Sequence, residues 1–99
     1  MFLPIESMSP FKLYEILIPS DWPLEWHRSW DAEVIKLVGG LTLMPRQQGR
    51  WQTNNIELMI PVRIACTQLQ MANVAAFTKQ HYKQQSVLYY VISKEVYFT

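Results

Sequence analysis

The chain has 99 residues, which is enough for one domain built around one hydrophobic core. Apolar residues make up 49% and charged residues 17%, a balance that fits a folded globule and argues against a disordered chain. The formal net charge of +1 gives no sign of nucleic-acid or membrane-surface binding, and no apolar run approaches the roughly 18 residues of a membrane span. The amino terminus also lacks the basic and unbroken apolar segments of a signal peptide, so we expect a cytoplasmic protein.

The chain begins with a segment that has no hydrophobic period. Residues 1–10 contain two prolines and two serines, so we expect a flexible segment ahead of a single domain over residues 11–99. The first strand is predicted over residues 11–19, where apolar side chains alternate onto both faces. These side chains are Tyr14, Ile16 and Ile18 on one face and Leu13 and Leu17 on the other. Apolar residues on both faces predict a central strand.

The first helix is predicted to follow directly. Ser20 and Asp21 are residues typical of helix starts, and Pro23 suits a first turn. Gly39 and Gly40 are predicted to end the helix, because glycine adopts the left-handed conformation at little cost. Its apolar stripe is Trp26, Trp30, Val34, Leu37 and Val38. Trp22, Trp26 and Trp30 are spaced by four, which indicates core packing and would also suit a protein partner.

Two short strands and a polar loop are predicted next. Residues 41–45 form a strand, and residues 46–55 are polar and indicate a loop or a long hairpin tip. Residues 56–66 form the third strand, with one clean apolar face. Pro61 conflicts with a central position because proline cannot donate to a sheet ladder, so it belongs at an edge or a bulge.

The last third of the chain predicts a second helix and a strand. The sequence from Thr67 to Gln70 fits a capping box, and the helix should continue to Tyr82 or Lys83. Residues 86–93 alternate clearly and predict a strand. A short fifth strand could follow over residues 96–98.

The resulting order, β-α-β-β-α-β, predicts an α+β fold. Right-handed crossovers place both helices on one face of a four-stranded antiparallel sheet, which is the ferredoxin-like plait. The other face is then open although its strands carry apolar side chains, and a bare apolar patch favours association. We therefore expect a homo-oligomer, with a dimer favoured over a trimer. The candidate interface residues are Leu13, Leu17, Met59, Tyr89 and Tyr90.

A second candidate site lies in and beside the polar loop. Its residues could form a pocket for an anionic or planar ligand, or the loop tryptophan could instead fold back over the core edge. His81, near a helix end, is expected to bond terminal carbonyls, and it joins the candidate ligand-binding residues. The candidates are Arg46, Arg50, Trp51, Glu57, Arg63 and His81.

Several kinds of site are not expected. The two histidines lie far apart on different helices, so neither a metal site nor another cofactor is predicted. Cys66 precedes a helix start, where a thiol pKa can fall, but a small buried hydrophobe is the simpler interpretation. Gly39 and Gly40 precede a strand rather than a helix, which is the wrong polarity for a phosphate loop. The third strand has no aromatic residues for stacking on RNA bases.

Short motifs after the first helix resemble an uncharacterised bacterial domain family. Its members share a Gly-Leu-Thr strand, a Gly-x-Trp turn followed by Glu, and a Tyr near the end of helix two before a Gln-Ser/Ala-Val strand. The matching positions are Gly40, Leu41, Thr42, Gly49, Trp51, Glu57, Tyr82, Gln85 and Val87. The resemblance spans residues 11–98 and implies a ferredoxin-like domain, with no activity to transfer.

The same element order is similar, more weakly, to nitrogen-regulatory signal-transduction proteins of the P-two type. Those proteins have a comparable Gly-Leu/Met-Thr strand and a long loop between strands two and three. The similarity implies a trimer that binds nucleotide between subunits. In this chain the loop is shorter, and the basic phosphate-binding residues near the chain end have no counterpart.

Three functions follow from these observations. The first is a small self-associating binding module that is not an enzyme, because no group stands out as catalytic. The second is a P-two-like sensor of a small ligand. The third is a dimeric plait enzyme acting on an apolar substrate, an analogy of fold alone. Its candidate groups are His81, Tyr90, Glu57 and Arg63.

Overall fold

The structure is a computed structural model that describes residues 10–40, 42–43, 47–51 and 55–97, with the side chains of residues 41–57 outside the description. Seven elements follow one another along the chain. They are β1 (Phe11–Pro19), α1 (Leu24–Val38), β2 (Thr42–Leu43), β3 (Gln47–Trp51), β4 (Asn55–Thr67), α2 (Gln68–His81) and β5 (Tyr89–Ser93). The segment expected to be flexible, residues 1–10, lies outside the described residues except for Pro10.

The strands form one antiparallel sheet in the order β2-β4-β1-β5, and β3 also pairs with β4. The α+β class and the central position of β1 are as predicted. The predicted count of four strands differs, because the edge beside β4 is divided into β2 and β3. Residues 94–97 form no strand, and Phe98 lies outside the described residues.

Both helices pack on the same face of the sheet. Alternate residues of β1 and β4 point into one core that also receives Trp30 and Val34 from α1 and Met71 and Val74 from α2, all four fully buried. The strand residues of this core are Tyr14, Ile16, Ile18, Val62, Ile64 and Cys66. The apolar stripes predicted from the sequence therefore meet in a single layer between helices and sheet.

Pro61 lies in an interior strand, yet its missing N–H falls where the sheet is irregular. The backbone N–H of Leu17, its partner on β1, donates to Leu88 on the far side, at 3.1 Å. Leu17 and Pro61 are therefore a non-hydrogen-bonded pair, and the Pro61 nitrogen faces away from β1. On the side of β4 that faces away from β1, the pairing register changes by one residue, from Leu43↔Val62 with β2 to Gln47↔Met59 with β3. This change of register fits the bulge, one of the two alternatives predicted for Pro61, and residues 44–46 between the two registers lie outside the described residues.

The polar segment predicted as a loop is largely strand. Gln47–Trp51 pairs with the start of β4, with Gly49 opposite Glu57 and Trp51 opposite Asn55. The loop prediction for residues 46–55 was wrong over β3, whereas the alternative of a long hairpin agrees with this pairing. Backbone hydrogen bonds make the ladder, and polar side chains do not prevent them.

The helix ends follow local rules. Helix α1 begins after Pro23 without a side-chain cap, and Gly39 ends it in the left-handed conformation at φ 92°, donating its N–H to Ile35 O at 2.7 Å. At the start of α2 the predicted capping box is confirmed. Thr67 Oγ1 accepts from the Gln70 backbone N–H at 3.2 Å, and Gln70 Oε1 accepts from the Thr67 N–H at 2.9 Å.

The change Thr67→Ala should destabilise the protein by about 1 kcal/mol, because it leaves a donor at the start of α2 without its partner. Chemical denaturation monitored by circular dichroism measures this loss. Gln68→Ala, at an exposed neighbouring position, is the matched control and should change stability by less than about 0.5 kcal/mol. Equal stability of the two variants would contradict the cap.

Candidate functional site

A cleft of about 640 Å³ opens beside the carboxyl end of β1. The end of β1, the middle of β4 and the segment between α2 and β5 form its walls. The apolar lining residues are Leu17, Pro19, Trp22, Met59, Tyr82, Val87 and Leu88, and the polar ones are Lys83, Gln84, Gln85 and Ser86. This volume lies within the range of about 300–1,000 Å³ that small-molecule sites occupy.

One wall of the cleft is fixed by a hydrogen bond between α1 and the end of α2. His27 Nε2 lies 3.1 Å from the Ser20 carbonyl oxygen, so Nε2 carries the hydrogen and donates it. In the neutral ring, His27 Nδ1 then accepts from the Tyr82 hydroxyl at 2.7 Å. Burial, together with the negative charge of Asp31, raises the pKa of Tyr82. Tyr82 therefore stays protonated at neutral pH and holds its ring in one position.

His81 links the same two helices outside the cleft. Its Nε2–H donates to the backbone carbonyl of Trp26 at 2.8 Å, and its ring packs edge-on against Tyr82 at 4.8 Å between centroids. The prediction that His81 bonds terminal carbonyls of a helix was wrong in its partner, because the acceptor is a carbonyl in the first turn of α1. The structure thus gives His81 a packing role between the helices.

The three tryptophans of the α1 region divide between core and cleft. Trp30 is fully buried, as the core-packing interpretation requires. Trp22 and Trp26 are half-buried, and their ring centroids lie 4.9 Å apart. Trp22 also packs on Tyr82 at 5.5 Å and lines the cleft. The aromatic stripe therefore forms both the core and one side of the cleft.

A tight turn after α2 brings the polar residues to the cleft. The Gln84 N–H donates to Lys79 O at 2.9 Å, and the Lys83 N–H donates to Gln80 O at 3.3 Å. This is the hydrogen-bond pattern of a Schellman motif, which requires a left-handed residue after the cap. Lys83 occupies that position with φ 52°, where glycine is the usual residue. The residues after this turn line the cleft, and β5 begins at Tyr89 rather than at residue 86 as predicted.

The open face of the sheet carries a polar row that the sequence interpretation did not foresee. Glu15 lies opposite Arg63 on one side and Tyr90 on the other. Arg63 Nε donates to Glu15 Oε1 at 3.2 Å, and the Tyr90 hydroxyl donates to Glu15 Oε2. This second bond raises the pKa of Tyr90, because it stabilises the protonated phenol. The expectation of a continuous apolar open face was therefore wrong at its centre.

The predicted interface residues differ in how far they are exposed. Leu13 and Leu17 are half-buried, and Tyr89 and Tyr90 are exposed on β5. Met59 is only 3% exposed and lines the cleft, so it is not available as a surface residue.

The predicted ligand-binding residues are not brought together as a group where the structure describes them. Arg63 lies on the open face, whereas His81 lies in the helix layer on the opposite face. Along β4, Arg63 and Glu57 are six residues apart, roughly 20 Å. The side chains of four candidates lie outside the described residues, so their part of the pocket stays a prediction. They are Arg46, Arg50, Trp51 and Glu57.

Cys66 behaves as the buried hydrophobe that the simpler interpretation predicted. It is fully buried in the core, and burial raises the pKa of its thiol to about 11. Such a thiol is unreactive at neutral pH. Within residues 10–40 and 58–97, no group of three or more His, Cys, Asp or Glu side chains is arranged to hold a metal ion.

The comparisons with protein-family models and with curated proteins gave no match. The resemblances to the uncharacterised bacterial family and to P-two proteins therefore stay predictions. None of the described helices is long and apolar enough to cross a membrane, and a cytoplasmic location stays a prediction.

Solved structures of CutA proteins share the fold at low sequence identity. CutA1 from Oryza sativa superposes with a TM-score of 0.68 at 10% identity, covering 90% of this chain and 84% of that one. CutA from Xylella fastidiosa gives 0.68 at 14% identity, covering 91% and 88%. The periplasmic divalent cation tolerance protein CutA from Archaeoglobus fulgidus gives 0.67 at 13% identity, covering 90% and 88%. Likeness at this level shows that the chain has the α+β, ferredoxin-like fold of the CutA proteins.

Proposed function

We propose that this chain is a small self-associating module without enzymatic activity, and that a second copy of the chain binds along β5. The observation that carries the proposal is a run of five consecutive exposed apolar residues. Leu88, Tyr89, Tyr90, Val91 and Ile92 are each exposed by 39–42%. Successive side chains point to opposite faces, so apolar side chains are exposed on both faces of this strand, and exposed apolar surface is typical of protein interaction sites.

The position of β5 in the sheet strengthens the proposal. It pairs with β1 on one side, and on the other side it pairs with no strand in the described part of the chain. An exposed edge strand offers unpaired N–H and C=O groups to another chain, and proteins usually protect such edges with Lys, Pro or a bulge. Within Tyr89–Ser93 there is no charged residue and no proline, although the register with β1 shifts by one residue between Val91 and Ser93, so the regular and unprotected part of the edge is Tyr89–Val91. Two β5 edges can pair antiparallel about a two-fold axis, which favours a dimer.

The names of the similar structures raise the question of divalent cations. CutA from Archaeoglobus fulgidus is described as a divalent cation tolerance protein. The described residues of the present chain provide no cluster of metal ligands, so their chemistry does not fit a resident cation within one chain. Self-association needs no such ligand.

Sedimentation velocity or light scattering at about 1–100 µM chain tests the proposal. We expect a mass of twice the 11.7 kDa chain mass, and a shift to monomer for Val91→Lys because the new charge cannot be buried at the edge. Leu69→Lys, at a 72% exposed position on α2, is the control and should leave the mass unchanged. Circular dichroism establishes that both variants are folded.

Two results would count against self-association along β5. One is a monomeric wild-type chain at 100 µM. The other is a folded Val91→Lys variant that keeps the wild-type mass, which would place the interface elsewhere.

A further inference from the structure

We propose that the cleft beside β1 binds a small apolar carboxylic acid that also carries an N–H donor, the chemistry of an apolar α-amino acid. The cleft is formed within one chain, and Leu88 is the one lining residue that also belongs to the run proposed for self-association. Three features of the lining carry it: an apolar wall, a single cation and an acceptor without a partner.

The apolar wall suits a ring or a branched hydrocarbon side chain. Leu17 and Met59 come from neighbouring strands, and Trp22 stands beside them with its ring packed on Tyr82. Tyr82 is held rigid by its hydrogen bond to His27, so this side of the cleft is preformed. A preformed apolar surface favours ligands that remove hydrocarbon from water.

The cation is Lys83. It is the one charged residue among those lining the cleft, and it forms no ion pair with any residue in the described part of the chain. The left-handed backbone that holds Lys83 is strained for a residue with a side chain, and strain of this kind is concentrated at functional sites. One ammonium group matches one carboxylate, whereas a nucleoside triphosphate would require several cations or backbone donors.

The acceptor is Gln84. Its Oε1 is buried and has no hydrogen-bond partner among the described residues, although Gln84 itself lines the cleft. Ser20, which is 3% exposed and lies between the lining residues Pro19 and Trp22, carries a second buried oxygen without a partner. Buried oxygens are nearly always satisfied, so the Gln84 oxygen, in a residue that lines the cleft, indicates a missing donor. The N–H group of the ligand would supply it once the Gln84 amide turns this oxygen into the cleft.

Calorimetric titration of the full chain with L-phenylalanine tests the proposal. We expect saturable one-site binding with a Kd of about 1 mM or tighter, a strength within reach of a ligand with about 12 non-hydrogen atoms. Phenethylamine, which lacks the carboxylate, should bind at least tenfold more weakly. Phenylacetate, which lacks the N–H donor, should also bind more weakly, by about threefold or more.

Matched variants test which side chain is responsible for each loss of affinity. Lys83→Met should weaken phenylalanine binding about tenfold or more, whereas Lys79→Met, an exposed lysine outside the cleft, should change it less than twofold. Gln84→Leu should abolish the preference for phenylalanine over phenylacetate while leaving phenylacetate binding unchanged. Circular dichroism of each variant shows whether it is folded.

Several outcomes would overturn the proposal. They are no saturable binding of phenylalanine up to about 20 mM, equal affinity for phenylalanine and phenethylamine, and unchanged affinity in a folded Lys83→Met variant. Tighter binding of ATP than of phenylalanine, lost in Lys83→Met, would reject the single-carboxylate class in favour of a nucleotide. Because the mass of the assembly is measured separately, each result leaves the test of self-association intact.

Discussion

Replacing Trp30 with alanine is expected to destabilise the protein by about 3–5 kcal/mol, the largest effect of any single change considered. Trp30 is fully buried between the helices and the sheet. Its indole Nε1–H donates to Thr78 Oγ1 at 2.9 Å, and that hydroxyl donates in turn to Val74 O at 2.6 Å. The variant loses both the packing and the polar link from α1 to α2. A domain of this size has a total stability of about 5–15 kcal/mol, so Trp30→Ala should be close to unfolding at 25 °C.

Urea denaturation of the wild type and the variant measures this loss. Leu24→Ala is the matched control, because Leu24 lies on the same helix and is 61% exposed, and it should change stability by less than about 0.5 kcal/mol. Thr78→Val tests the polar link alone, since it leaves the indole N–H without a partner and should cost about 1–3 kcal/mol. A loss below 1 kcal/mol in Trp30→Ala would show that the helices do not pack on the sheet as described.

Raising the pH from 9 to 11 is expected to remove about 2 kcal/mol of stability through Cys66. Burial raises the pKa of this thiol from its ordinary 9.0 to about 11. The unfolded chain therefore releases its thiol proton above pH 9, whereas the folded chain holds it until about pH 11. The contribution is complete below pH 9 and disappears as the pH rises through 11, at about 1.4 kcal/mol for each pH unit. The raised pKa of Tyr82 acts in the same direction above pH 10.

Denaturation at pH 8, 9, 10 and 11, in the presence of a reductant, measures this slope. Between pH 9 and 10 the Cys66→Ala variant should lose clearly less stability than the wild type, whatever its stability at pH 8. The Tyr82→Phe variant should retain the Cys66 slope and lose part of the dependence above pH 10. Parallel curves for wild type and Cys66→Ala would mean that the thiol is solvated in the folded state.

Much of the fold was predictable because the relevant signals are local. Alternation along residues 11–19 predicts β1 with its bounds, and the Thr67–Gln70 pair predicts the start of α2. Gly39 ends α1 where the sequence indicates, because only a residue tolerant of positive φ fits there. Each of these elements is decided by residues that are neighbours along the chain.

Features decided by strand register could not be predicted from local patterns. Glu15 looks like a polar interruption in an apolar strand, and only the register shows that Arg63 and Tyr90 flank it. The polar residues of β3 predict a loop or a hairpin tip, and only the pairing with β4 shows a strand. The same limit explains the error about the open face of the sheet.

The cleft was missed for a related reason. Its walls come from three separate parts of the chain, represented by Leu17, Met59 and the turn after Tyr82. The usable signal was the end of α2, where a lysine and two glutamines stand in place of the glycine that usually ends a helix.

Lys83 also makes this chain more fragile than its architecture requires. A glycine at φ 52° would relieve the conformational penalty of the side chain, typically about 1 kcal/mol. If the proposed ligand binds at Lys83, the lysine is kept at the expense of stability, a compromise between stability and activity that is common in natural proteins. The change Lys83→Gly would therefore stabilise the chain and would also remove the charged residue of the cleft lining.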